Sequence, residues 1–237
     1  MRGVFHGELM GLQKTWLSLA IAVVWVLASS PATAQIVAGK DYRSVTPPQP
    51  TDSGKKVELI EFFSYACPGC NILQPRLKTW LARKPADVEF RRVPALFPDR
   101  VSSWGPLARA YYALDAMGAV EKAHYGLFAA IHDRKSLDLR TVAKDPKPLF
   151  DWIATQGMDR QKFADAYNSF GVQNLVQRSI DLSRNYDIPG TPTIVVDGKY
   201  LTTLSMTMNP DETVNFERFF RVIDELIMLA RKQRAGK

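Results

Sequence analysis

A chain of 237 residues that is 46% hydrophobic and 11% aromatic holds enough apolar material for one large packed domain or two small ones, which excludes a disordered chain. Its net charge of +7 comes from scattered Lys and Arg, with no basic run interleaved with exposed aromatics, so nucleic acid is not the expected partner. With only two cysteines, Cys67 and Cys70, it is no disulfide-stapled scaffold.

Residues 1–34 carry the marks of an export signal. Arg2 and Lys14 precede an apolar core from Trp16 to Ala28, and Ala32-Thr33-Ala34 fits a small-residue cleavage site, so cleavage is expected after Ala34. The core is shorter than the roughly twenty residues a comfortable membrane span needs, which leaves an uncleaved anchor as the alternative. The stretch before it is long and holds His6 and Glu8, whereas a start at Met10 would give a compact leader. Export places the remainder in an oxidising compartment, where cysteines usually staple a fold; here both lie in one tetrapeptide.

Beyond the leader, Tyr42 to Val45 reads as a short edge strand and Thr46 to Gly54, rich in proline and polar residues, as a loop. The apolar run Val57 to Tyr65 predicts a buried strand that stops at Cys67-Pro68-Gly69-Cys70. After it, Ile72, Leu73, Leu77, Trp80 and Leu81 recur at helical spacing. Pro75 lies well inside that helix and predicts a kink. Lys84-Pro85-Ala86-Asp87 ends the helix, and Val88 to Val93 reads as a second core strand before Pro94. The sequence strand, helix, strand implies parallel strands joined by a right-handed crossover.

From Ser102 to about Tyr186 the pattern is helical, with segments at Gly105 to Ala116, Val120 to His132, Lys147 to Thr155, Arg160 to Asn168 and Val172 to Asn185. Gly118, Gly157 and Gly171 read as C-caps or turns, and Ser136 and Asp159 as N-caps. Strand signals return at Thr193 to Val196, and Asp197-Gly198 predicts a tight hairpin into Lys199 to Thr203. A last helix is expected from Asp211 to about Arg231, with Val214, Phe216, Phe219, Phe220, Ile223 and Leu226 on one side to cover a sheet face and Glu217 and Arg221 as an i,i+4 pair.

The two cysteines lie where a buried strand gives way to a helix. The first turn of a helix has free N–H groups and the positive end of the dipole, so a thiolate at Cys67 would be stabilised there. A lowered thiol pKa raises the thiolate fraction and makes the sulfur a better leaving group, which marks Cys67 as the nucleophile. Cys70, one turn on, is placed to close a small ring and to resolve a mixed disulfide, and is expected to be buried. A structural zinc site is an alternative, but beyond the leader only His124 and His132 are available as further ligands, isolated in sequence. An inert disulfide is another, though so short a loop removes little unfolded-state entropy. Glu61, inside the apolar strand, must be paired or protonated if buried, with Arg91 or Arg92 as partner across the neighbouring strand; the alternative places it on a solvated face.

Strand, Cys67-Pro68-Gly69-Cys70, helix, strand, helical block, Gly190-Thr191-Pro192-Thr193, hairpin and helix, in that order, resemble an α/β thioredoxin fold, a central mixed sheet flanked by helices, with an inserted helical domain. That is the architecture of DsbA-type periplasmic thiol:disulfide oxidoreductases. The likeness covers nearly the whole chain after the leader, through Gly39-Lys40-Asp41-Tyr42, Glu61-Phe62-Phe63-Ser64-Tyr65, and Ile188-Pro189-Gly190-Thr191-Pro192-Thr193 leading to Asp197-Gly198-Lys199-Tyr200. It implies a signal peptide at 1–34, a first thioredoxin-fold part at 35–101, the inserted domain at 102–186 and a second thioredoxin-fold part at 187–237.

The resemblance also implies a function: an exported enzyme that introduces disulfides into reduced substrate proteins through Cys67 and Cys70. A quinone-linked membrane oxidase of the DsbB type would reoxidise it, the chain would act as a monomer, and no metal or organic cofactor would be needed. In the family the proline matching Pro192 is cis and lies beside the cysteines, which makes Thr191 and Pro192 substrate-contact residues. Glu61 matches the family's buried acid, which relays protons near the resolving cysteine. Pro68 and Gly69 tune the pair, and here the chain departs from the archetype, which has Pro-His between its cysteines. Losing the histidine should raise the Cys67 pKa and make the disulfide less oxidising. Thr191, where the archetype has Val, is similar to the DsbC and DsbG isomerases. A reductant in cytochrome c or metal-site maturation, an isomerase, and a peptide-binding chaperone without redox turnover are the competing readings.

Overall fold

The computed structural model describes residues 35–236, together with Gly3, so the expected leader, the start at Met10 and cleavage after Ala34 lie outside the described residues. Among the described residues no helix is long and apolar enough to cross a membrane.

Seven consecutive residues, Val57–Phe63 (β2), are buried along their whole length because both faces of this strand are covered. It runs parallel to Val88–Pro94 (β3) and antiparallel to Thr193–Val196 (β4), which pairs in turn with Tyr200–Thr203 (β5). Arg43–Ser44 (β1) adds a two-residue edge on β5, giving a mixed sheet in the order β1-β5-β4-β2-β3. Pleat alternation divides the side chains between two layers. Val57, Leu59, Ile194 and Val196 pack with Leu73, Leu77 and Trp80 of Pro68–Ala82 (α1) and with Phe219, Ile223 and Leu226 of Phe216–Ala235 (α8). Ile60, Phe62, Val93, Val195 and Leu201 pack on the other face with Tyr186 and Ile188.

Between β3 and β4 lie six helices: Val101–Ala116 (α2), Val120–His132 (α3), Leu139–Lys144 (α4), Lys147–Thr155 (α5), Arg160–Asn168 (α6) and Phe170–Asn185 (α7). Their apolar sides form a third cluster that takes in Phe63, Tyr65 and Cys70 from the sheet layer. The inserted helices therefore share a core with the cysteine loop.

Several elements depart from expectation for local reasons. Helix α4 was not predicted, being only six residues long, and its N-cap is Asp138, whose carboxylate accepts from the Thr141 N–H at 2.8 Å; Ser136 is not a cap. Helix α2 begins at Val101, after a 3-10 turn at Pro98–Arg100, rather than at Gly105. Gly171 falls inside the first turn of α7, which Ser169 caps, whereas Gly118 and Gly157 have the positive φ of true turn residues. The last helix starts at Phe216 instead of Asp211. The Asp211 carboxylate instead binds the backbone and hydroxyl of Thr213, Glu212 turns to φ 63°, and Asn215 becomes the cap. Val214 is thus off the helix, and Glu217 and Arg221 form no ion pair among the described residues. Helix α1 runs on through Pro75 to Ala82.

The hairpin is as its dipeptide requires, with Asp197 at φ 54° and Gly198 at φ 66°. Gly198 is also pressed against the Thr46 to Gly54 loop, where a Cβ would collide with the Gln49 carbonyl oxygen and come within 3.0 Å of its carbon. Gly198→Ala therefore combines a strained left-handed residue with a backbone clash, and should lower unfolding free energy in urea by about 2–4 kcal/mol. A loss under about 0.5 kcal/mol would show that this loop yields freely.

Candidate active site

The burial of β2 delivers the chain to the start of α1 at a sharp strand-to-helix junction, with Cys67 as N-cap and Pro68 at the first helical position, where a missing N–H costs nothing. Cys67 is half-buried and Cys70 fully buried, both as free thiols. The Cys70 N–H donates to Cys67 Sγ at 3.4 Å, and Cys67 Sγ lies 3.2 Å from the Thr191 carbonyl oxygen.

The two sulfurs have opposite electrostatics. The Cys67 pKa is lowered from 9.0 to about 6, foremost by the hydrogen bond from the Cys70 thiol, against the opposing effect of burial, and further by the Thr191 side chain and the backbone amides of Cys70 and Gly69. The helix amides expected to stabilise the thiolate do contribute, but the partner thiol contributes more. Cys70 is held well above its ordinary value, first by burial and then by that same bond and the negative charges of Cys67 and Glu61. A dithiol so arranged ionises at one sulfur only near neutral pH.

The segment before β4 closes over this junction. The Thr191–Pro192 peptide is cis, and a Cβ at Gly69 would lie 3.3 Å from Pro192 Cδ and 3.6 Å from Cys67 Sγ. Gly69, Thr191, Pro192, Leu204 and Met208 line a groove of about 300 Å³, with Ile72 45% and Met208 38% exposed at its edge.

Behind the cysteines lies a buried polar cluster. Glu61 is fully buried, its carboxylate accepting from Gln74 Nε2 at 2.7 Å and from Arg92 Nε at 3.1 Å. Arg92 is the partner because the β2–β3 register sets it opposite Glu61, while Arg91 falls on the other face and pairs with Glu58. Burial raises the Glu61 pKa, with Arg92 and Gln74 opposing it. Gln74 continues to His124, 3.1 Å from its Oε1 to Nε2, and His124 Nδ1 lies 2.9 Å from the Tyr65 hydroxyl. His132 of the same helix donates to the Tyr65 carbonyl at 2.8 Å.

Sequence reasoning placed Cys67, Cys70, Glu61, Thr191 and Pro192, and the structure brings all five to one junction. It missed Gln74, His124 and Tyr65. The two histidines, set aside as isolated, both reach the cysteine loop from α3; a histidine and a glutamine on otherwise apolar helix faces were the available signal. Among the described residues no group of three or more His, Cys, Asp or Glu is arranged to hold a metal ion.

The chain is similar to known proteins over most of its length. Residues 58–218 match the family model described as "DSBA-like thioredoxin domain". The thiol:disulfide interchange protein DsbA of Burkholderia cepacia is 41% identical over 192 residues, which cover 81% of this chain and 85% of that protein. The crystal structure of Pseudomonas aeruginosa DsbA superposes with a TM-score of 0.74 at 32% identity, covering 85% of this chain and 97% of that one. The oxidoreductase DsbA from Xylella fastidiosa also superposes at 0.74, with 32% identity and coverage of 83% and 98%.

Proposed function

Since the chain belongs to the DSBA-like thioredoxin domain family and is a thiol:disulfide oxidoreductase, we propose that it oxidises reduced exported proteins in the periplasm, with Cys67 as the exchanging sulfur. The observation that carries this is the placement of the two thiols, Cys67 half-buried at the head of α1 and Cys70 fully buried a turn behind it, which sets their proton affinities apart.

In the oxidising direction a substrate thiolate attacks Cys67 Sγ of the Cys67–Cys70 disulfide. The bond between the two cysteines breaks, and Cys70 departs with the electron pair and takes up a proton. A second substrate thiolate then attacks the substrate sulfur of the mixed disulfide, and Cys67 leaves as a thiolate. Two electrons have passed from the substrate dithiol to the enzyme pair. The lowered Cys67 makes the second departure easy, and the raised Cys70 makes its proton uptake obligatory. Glu61, buried and with its proton affinity raised, is the group we assign to carry that proton. Thr191 and Pro192 line the groove that would hold the substrate strand, and Pro68 and Gly69 shape the loop around Cys67.

A quinone-linked membrane oxidase of the DsbB type is the proposed electron acceptor, and one cysteine pair with one groove suffices for a monomer. A value of about 6 for Cys67 lies between the roughly 3.5 of a strong oxidant and the roughly 7 of a reductant of this chemistry. It fits a disulfide milder than one with Pro-His between its cysteines. Acid-quenched alkylation in periplasm-expressing cells should find Cys67 and Cys70 predominantly as a disulfide, and equilibration with glutathione should give a potential between those of DsbA and thioredoxin, about −120 and −270 mV. A pair found reduced in those cells would instead support a reductant.

A further inference from the structure

With Glu61 ionised and able only to accept, the hydrogen bonds behind the cysteines run in one direction. Gln74 gives its Nε2–H to Glu61 Oε1, so its Oε1 is an acceptor and the ring atom facing it, His124 Nε2, carries the hydrogen. Burial and the charge of Arg92 keep the imidazole neutral, so Nδ1 is bare and accepts the Tyr65 hydroxyl. Donation therefore runs from Tyr65 to His124 to Gln74 to Glu61, with Arg92 donating from the other side.

We propose that His124 is a positioning residue for Glu61: by holding the Gln74 carbonyl, its Nε2–H turns the amide N–H onto the carboxyl group, which then faces donors alone. A carboxyl oxygen opposite an N–H is favoured ionised, and one opposite a C=O is favoured protonated. Without His124 only the charge of Glu61 orients the Gln74 amide, which can rotate and offer its oxygen once Glu61 is protonated. His124 thus sets how readily Glu61 takes and returns a proton; the link to turnover rests on the assignment of Glu61 as proton carrier, but the positioning itself does not.

Replacing His124 also takes the acceptor from the Tyr65 hydroxyl, and further charged and titratable groups surround Glu61. They are Arg92 of β3, Cys67 and Cys70 at the head of α1, Tyr65 in the loop, Tyr111 of α2, and Tyr125 of α3, with Glu121 of α3 acting through its contact to Arg92 at 3.5 Å.

The test is the titration of the Glu61 side-chain carboxyl by carbon-13 NMR, assigned by its loss in Glu61→Gln. His124→Leu should raise the midpoint by about one pH unit, the size of one hydrogen bond exchanged. His124→Gln supplies the same acceptor and donor and should restore the original midpoint. In a Gln74→Leu background His124→Leu should change nothing, because its path to Glu61 is gone. An unchanged midpoint in His124→Leu, or an equal rise in His124→Gln, overturns the proposal. Should His124→Leu not fold, nitrogen-15 spectra of the unaltered protein decide: a hydrogen on Nε2 supports the assignment, and one on Nδ1 overturns it. None of these measurements reads disulfide exchange, so they stand apart from the fate of the proposed function.

Discussion

A Cys70→Ala protein should accumulate mixed disulfides with its substrates and release almost none, while Cys67→Ser should form none at all. The difference follows from the division of labour between a half-buried sulfur at the head of α1 and a fully buried one a turn behind it. With a pKa of about 6, Cys67 is about 90% thiolate at pH 7, whereas at the ordinary 9.0 it would be only about 1% ionised. Alkylation of the reduced protein should therefore rise through pH 6 and level off by pH 7.5. In Cys70→Ala the midpoint should move upward, because the largest contribution to the lowered value, the Cys70 hydrogen bond, has been removed. A wild-type midpoint near the ordinary 9.0 would remove the basis of the proposed chemistry. Stability carries the same signature. The Cys67 midpoint lies below its ordinary 9.0, so the reduced form gains stability as pH rises above 6, by at most about 4 kcal/mol once pH passes 9, and loses it as pH falls through 6. The disulfide form has no such group, so the stability of the reduced form relative to the disulfide form should rise with pH between 6 and 9.

Arg92→Met is expected to be the most damaging single change behind the cysteines, costing about 3–5 kcal/mol at pH 7. Glu61 is completely buried, and without Arg92 only the Gln74 amide faces its charge. Glu121, the other acid touching Arg92, is 79% exposed and does not share this burden. The double variant Arg92→Met with Glu61→Gln should recover most of the loss, since it removes the uncompensated charge as well. The pH dependence has a definite sign. A carboxyl whose folded pKa is raised destabilises only where it would ionise in the unfolded chain, so the penalty should be small below about pH 4.5 and grow as pH rises. Urea unfolding of both variants at pH 4 and pH 7 measures it. A penalty equal at the two pH values would mean that Arg92 contributes packing rather than charge.

Local chemistry was legible in the amino-acid sequence. Val57 to Tyr65 is apolar enough to be a central strand, Cys67-Pro68 starts a helix, and Asp197-Gly198 makes the positive-φ turn that closes a hairpin. These signals, in their order, carried the family likeness and five of the residues at the junction. Short-range competition defeated it at Asp211, where an acid that looks like a helix start spends its carboxylate on Thr213.

Which of two adjacent arginines meets Glu61 was settled by the folded sheet alone, since it depends on the one-residue register and pleat between β2 and β3. Only tertiary packing could bring His124 to Gln74 and His132 to Tyr65, residues at least fifty positions apart joined when α3 packs beside the cysteine loop. A helix or turn is written in neighbouring residues, whereas a buried polar network depends on where separate elements come to rest against one another, and no stretch of chain encodes that alone.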